Sequence, residues 1–62
     1  MVIYVLVKVE DIRLVPSVKV FRCPEQAIEA AGAPQYEGLG VKCLQNNGVF
    51  MLCDSTIYRK EI

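Results

Sequence analysis

The sequence predicts a small α+β domain with a mostly antiparallel sheet, the element order β-β-α-β-β, and one short helix packed on one face. Apolar residues make up 53% of the 62 positions, and most of them lie in segments rich in β-branched side chains. A helical pattern is evident in one segment alone, so strands flank a single helix and a doubly wound parallel fold is not expected. A chain of this length forms one domain, residues 1–62.

The first segment, Val2 to Val9, has the pattern of a central strand. Its odd positions are all apolar and β-branched, which favours a strand over a buried helix. Its even positions are apolar at first and charged at the end, and a strand with two apolar faces is typical of the middle of a sheet. The segment from Ser17 to Arg22 predicts a second strand. We expect this strand at an edge of the sheet, because Pro16 precedes it and one of its faces is more polar than the other.

The only predicted helix begins at Pro24, because proline suits the first helical turn. The negative charge of the adjacent Glu25 is stabilised by the positive N-terminal end of the helix dipole. Gly32 is suited to the position just past the helix end, and Pro34 prevents the helix from continuing. The helix is therefore about nine residues, or about 14 Å, long.

The second half of the chain predicts a hairpin. Residues 35–40 are expected to form a loop, and residues 41–45 and 49–53 are expected to form the third and fourth strands. Residues 46–48, Asn-Asn-Gly, tolerate turn dihedral angles and predict a three-residue loop with a glycine bulge between them. Residues 56–61 are expected to resume as a short extended segment.

The three cysteines are an odd number without a CxxC pair, which favours reduced thiols and a cytoplasmic location over a secreted disulfide scaffold. Cys43 and Cys53 are interpreted as small hydrophobic residues of the core. No cofactor is expected, and the absence of histidine leaves too few ligands for a structural zinc site. The apolar run at residues 2–7 is too short to span a bilayer, so no membrane association is expected.

One helix of that length covers about 140 Å² of a sheet face of about 350 Å², so apolar surface is left uncovered. The chain is therefore predicted to form a homo-oligomer or to bind another protein. The side chains assigned to the uncovered face come from Tyr4, Leu6, Phe21, Leu44, Phe50 and Leu52. The alternative is that loops 10–16 and 33–40 cover the sheet, with Ile12, Leu14, Val15, Tyr36 and Leu39 as the covering residues.

The function predicted from these features is that of a small, non-enzymatic interaction module. Its candidate contact residues are Tyr4, Phe50, Leu52, Tyr58, Arg59 and Lys60. The alternative is a weak single-stranded nucleic-acid-binding protein that uses aromatic and basic residues of the sheet and the C-terminal segment. The residues are Tyr4, Lys19, Lys42, Phe50 and the segment 57–60. Seven basic residues balance seven acidic ones, so the basic excess typical of such proteins is absent.

An enzymatic function is not expected, because a chain without histidine lacks the usual base for a nucleophile. Cys23 is a possible reactive thiol, since it lies at the predicted helix start beside Arg22, and both features lower the pKa of a thiol. The competing interpretation is that Cys23 occupies the N-cap position without a chemical role. The glycines at 38 and 40 precede a predicted strand and do not form a phosphate-binding loop.

Overall fold

The computed structural model describes residues 1–9 and 16–62, and these form one four-stranded sheet with two helices. In chain order the elements are β1 (Val2–Val9), β2 (Pro16–Phe21), α1 (Pro24–Ala30), a short 3-10 helix (Pro34–Tyr36), α2 (Glu37–Asn47), β3 (Val49–Met51) and β4 (Ser55–Glu61). The strand order is β2-β1-β4-β3, and every neighbouring pair is antiparallel. The α+β class, the central position of β1 and the edge position of β2 are confirmed.

The register of β1 with its two neighbours defines the two faces of the sheet. Leu6 is paired with Lys19 on one side and with Ile57 on the other, and Val5 is paired with Val20 and Tyr58. Successive side chains of a strand point to opposite faces of the sheet. Residues that are paired across neighbouring strands therefore form a row of side chains on a single face.

Helix α1 begins at Pro24 and is followed by Gly32 just past its C-cap, as predicted, but it has seven residues instead of about nine. Gly32 has a φ of 81°, in the left-handed region. The Gly32 N–H donates to the Glu29 carbonyl at 3.0 Å, and the Ala33 N–H donates to the Ile28 carbonyl at 3.2 Å. This pair of bonds is the Schellman arrangement, which satisfies the last carbonyls of a helix and relies on glycine at this position.

Helix α2 replaces the predicted loop at 35–40 and the predicted strand at 41–45, so the predicted hairpin between 41–45 and 49–53 is wrong. Gly40 and Leu44 are buried and Val41 is half-buried, which is the spacing of one face of a helix. Gly48, with a φ of 76°, donates its N–H to the Leu44 carbonyl at 3.1 Å. Residues 46–48 therefore end a helix instead of closing a hairpin.

Tertiary packing explains why a segment with two glycines is helical. A Cβ built on Gly40 would lie 2.6 Å from Cδ1 of Ile28 and 3.1 Å from Cε2 of Phe50. The missing side chain lets α2 approach α1 and β3 closely, and this contact compensates for the roughly 1 kcal/mol that each glycine costs in a helix. At Gly38, in contrast, an added Cβ would have no atom within 4 Å.

Strands β3 and β4 form the actual C-terminal hairpin, connected through Cys53 and Asp54. The Leu52 N–H donates to the Ser55 carbonyl at 2.8 Å and closes the turn. Residues 56–61, predicted as a short extended segment, belong to the full strand β4, which begins at Ser55 and lies beside β1. All three cysteines are free. Cys43 is half-buried against the core, but Cys53 is exposed at the turn, so its assignment to the core is wrong.

Both helices pack on the same face of the sheet. The core beneath them consists of Tyr4, Leu6, Ala27, Ile28, Ala31, Ala33, Leu44, Phe50 and Ile57. The assignment of Tyr4, Leu6, Leu44 and Phe50 to the uncovered face is therefore wrong. Phe21 and Leu52, which were assigned with them, also pack against this core and are partly buried. In β1 it is the even-numbered side chains that face the helices, and Leu44 belongs to α2. Neither helix of the described residues has the length and apolar character needed to cross a membrane.

Candidate interaction surface

The face of the sheet opposite the helices is apolar, and we call it the open face. Alternation along each strand and the pairing between strands define its members. They are Ile3, Val5, Val7 and Val9 of β1, Pro16, Val18 and Val20 of β2, Val49 and Met51 of β3, and Thr56, Tyr58 and Lys60 of β4. None of these residues belongs to the core cluster under α1 and α2.

Two rows of side chains cross all four strands at the centre of the open face. The first row is Val20, Val5, Tyr58 and Val49, and the second row is Val18, Val7, Thr56 and Met51. Three of the four outer members of these rows are largely exposed, with Val18 at 61%, Val20 at 59% and Met51 at 71%, and the fourth, Val49, is half-buried. Only Thr56 and the hydroxyl of Tyr58 interrupt the apolar character of the two rows, so the exposed apolar surface is continuous.

The open face has the size of a functional surface patch. The four strands have eight, six, three and seven residues. At about 3.3 Å per residue and about 4.8 Å between strands they give a footprint of about 350–400 Å². The largest apolar patches on soluble monomers reach about this size and are often binding sites.

Charged residues occupy the two ends of the open face. Lys60 lies in the row of Ile3 at one end, and Arg22 directly follows β2 at the same end. At the opposite end the Asp54 carbonyl accepts the Val9 N–H at 2.9 Å, and Asp54 Oδ1 accepts the Ser55 hydroxyl at 3.0 Å. The face thus has a basic end, an apolar centre and an acidic rim.

The structure does not bring the six predicted contact residues together on one surface. Tyr58 and Lys60 lie on the open face, and the adjacent Arg59 is exposed but points to the helix side of β4. Tyr4 and Phe50 are buried in the core, and Leu52 is half-buried against it. All other residues of the open face were not predicted as contacts. They are Ile3, Val5, Val7 and Val9 of β1, Pro16, Val18 and Val20 of β2, Val49 and Met51 of β3, and Thr56 of β4.

The basic and aromatic residues named for nucleic-acid binding are also divided. Lys19 is paired with Leu6 on the helix side of the sheet, and Lys42 belongs to α2. Among the described residues, Tyr58 is the aromatic side chain on the open face. Cys23 is exposed at the N-cap of α1 and makes no side-chain capping bond, and its reactivity remains a prediction.

The predicted alternative, in which loops cover the sheet, involves residues of two segments. Ile12, Leu14 and Val15 of the first segment lie outside the described residues. Tyr36 and Leu39 of the second are exposed, and they lie in the elements that pack with α1 on the helix side. Neither of these two residues therefore covers the open face.

Residues 1–9 and 16–62 contain no pocket and no group of three or more side chains arranged to hold a metal ion. Comparisons of the chain with protein-family models, with curated proteins and with solved structures find no match. The open face is thus the feature of the described structure on which a functional hypothesis can be built.

Proposed function

We propose that this protein is a non-enzymatic interaction module of the cytoplasm that binds a polypeptide through the open face. The observation that carries this proposal is the pair of apolar rows that cross all four strands, with Val18, Val20 and Met51 largely exposed. A soluble domain stabilises such a surface by burying it against another protein. Free thiols at all three cysteines accord with a reducing compartment.

The dimensions of the open face indicate an interaction of modest affinity. A footprint of about 350–400 Å² on each partner is at the low end for specific complexes, which commonly bury about 800 Å² per partner. The apolar centre supplies the favourable free energy, and the charges at the two ends supply orientation. We therefore expect dissociation constants in the micromolar range, typical of transient or regulated contacts.

Single-stranded nucleic-acid binding, the alternative function, has less support. Such sites combine several stacking aromatic side chains with a basic groove along the phosphate backbone. Among the described residues of the open face, Tyr58 is the one aromatic residue and Lys60 is the one basic residue. The centre of the face offers aliphatic side chains, which neither stack on bases nor neutralise phosphates.

A photoreactive benzophenone side chain at Tyr58 tests the proposed function, with the same group at Tyr36 as the matched control. The two tyrosines are similarly exposed, at 41% and 47%, but lie on opposite sides of the protein. Irradiation of the purified protein and of a cell extract is expected to give polypeptide adducts from position 58 and few from position 36. Equal yields from both positions, or adducts at 58 with a labelled single-stranded oligonucleotide instead of protein, would contradict the proposal.

A further inference from the structure

We infer that the partner of the open face is a second copy of this chain, and that the two-fold axis of the dimer runs across the strands. This inference rests on the proposed function and names its partner. Two sheets would stack about 10 Å apart, with β4 of one copy antiparallel over β4 of the other. The dimer would be a β-sandwich with helices on both outer surfaces.

The side chains of the open face are complementary to themselves in this arrangement. An axis across the strands places the row of Val20, Val5, Tyr58 and Val49 over the row of Val18, Val7, Thr56 and Met51 of the second copy. Tyr58 then lies over the small Thr56, and the long Met51 lies over Val49. Large side chains opposite small ones allow two sheet faces to pack at the density of a protein interior.

The charges at the ends of the open face select this axis over the alternative. An axis across the strands brings Lys60 of each copy to the end where Asp54 of the other copy lies. An axis along the strands would instead gather Lys60 and Arg22 of both copies at one end, where like charges repel. The chain has a formal net charge of zero, so no net repulsion opposes the association of two copies.

The area of the open face matches what a weak dimer needs. Side chains that stand above the sheet have more accessible surface than the footprint, so stacking two faces buries on the order of 1,000 Å² in total, the lower limit for a specific interface. A second copy covers the whole face with a surface of the same dimensions and apolar character. The match in size and chemistry is what singles out self-association.

The Lys60→Glu variant tests the inference. Sedimentation equilibrium of the full chain measures whether this substitution raises or lowers the dissociation constant of the dimer. With the axis across the strands, the introduced carboxylate meets the second copy's Asp54, and the dissociation constant is expected to rise about three- to tenfold. The double variant Asp54→Lys with Lys60→Glu restores the opposite-charge pairs and is expected to return the constant to within about twofold of the original. High salt should reduce the rise in the dissociation constant that Lys60→Glu causes, because salt screens the repulsion between the two carboxylates.

Two results would overturn the inference: tighter or unchanged association of Lys60→Glu, or failure of the double variant to recover. Tighter association indicates an axis along the strands, where the substitution relieves the cation cluster. Lys60 and Asp54 are exposed, so Lys60→Glu is expected to fold. Asp54→Lys also removes the acceptor of the Ser55 hydroxyl, so circular dichroism checks the fold of both variants. If the unsubstituted chain stays monomeric while the probe at Tyr58 captures a different polypeptide, the proposed function stands and the second copy is excluded.

Discussion

Gly40→Ala is expected to be less stable than Gly38→Ala by about 1–3 kcal/mol, the cost of adding a methyl group to a packed core. Both glycines lie in α2, so both substitutions gain up to about 1 kcal/mol of helix propensity. At Gly40 the new methyl group would meet Ile28 and Phe50 at distances that require the core to move. Ile28 is completely buried, so its side chain can make room for the methyl group only by rearranging within the core.

Thermal unfolding followed by circular dichroism measures this difference. For a domain of this size, about 1–3 kcal/mol corresponds to a midpoint difference of roughly 5–15 °C. Gly38→Ala adds its methyl group in open space and is the control for helix propensity. Equal midpoints for the two variants, at the same protein concentration, would show that α2 does not pack closely against α1 and β3 through Gly40.

Val20→Asp is expected to weaken self-association about tenfold, because it places an unpaired, partly desolvated carboxylate at the β2 edge of the dimer interface at a cost of about 1.4 kcal/mol. Val20 lies in the first apolar row of the open face, opposite the second copy's Val18. Its side chain is largely exposed in the single chain, so the substitution removes little intramolecular packing. The variant should therefore fold and remain a monomer at concentrations where the unsubstituted chain is dimeric.

Leu39→Asp is the matched control for this variant. Leu39 and Val20 are both 59% exposed, but Leu39 lies in α2 on the helix side of the sheet. Its substitution introduces the same charge and removes a comparable apolar surface outside the proposed interface. Sedimentation velocity should show unchanged association for Leu39→Asp. Equal weakening by both variants would point to a general effect of net charge instead of a specific surface.

The elements with strong local signals could be predicted from the sequence. The β-branched residues of β1 and the Pro24 and Gly32 boundaries of α1 each have a single physical interpretation, and the structure confirms them. Helix α2 could not be predicted in this way, because Gly38 and Gly40 oppose a helix locally and are compensated only by packing. Gly48 at the end of residues 46–48 adds to the ambiguity, since a left-handed glycine serves both a hairpin turn and a helix end.

The sequence did not show which side chains lie on the open face. Residues 2–7 are apolar at both odd and even positions, so alternation alone does not tell which set faces the helices. The aromatic residues Tyr4 and Phe50 were predicted to lie on the surface, but they fill the core under α1 and α2. An uncovered sheet face was nevertheless expected from the small amount of helix. Among the described residues, both helices pack on one side of the sheet, because the unforeseen α2 lies beside α1.

Methyl-resolved NMR on dilution of the unsubstituted chain tests most directly whether the open face is where two copies meet. Between about 1 mM and about 10 μM, a range that brackets a micromolar dimer, the methyl signals of Val5, Val7 and Val20 should shift with concentration. The signals of Leu39 and Val41 on the helix side should stay constant. Signals of the open face that do not change with concentration, or shifts confined to the helix side, would contradict the proposed dimer.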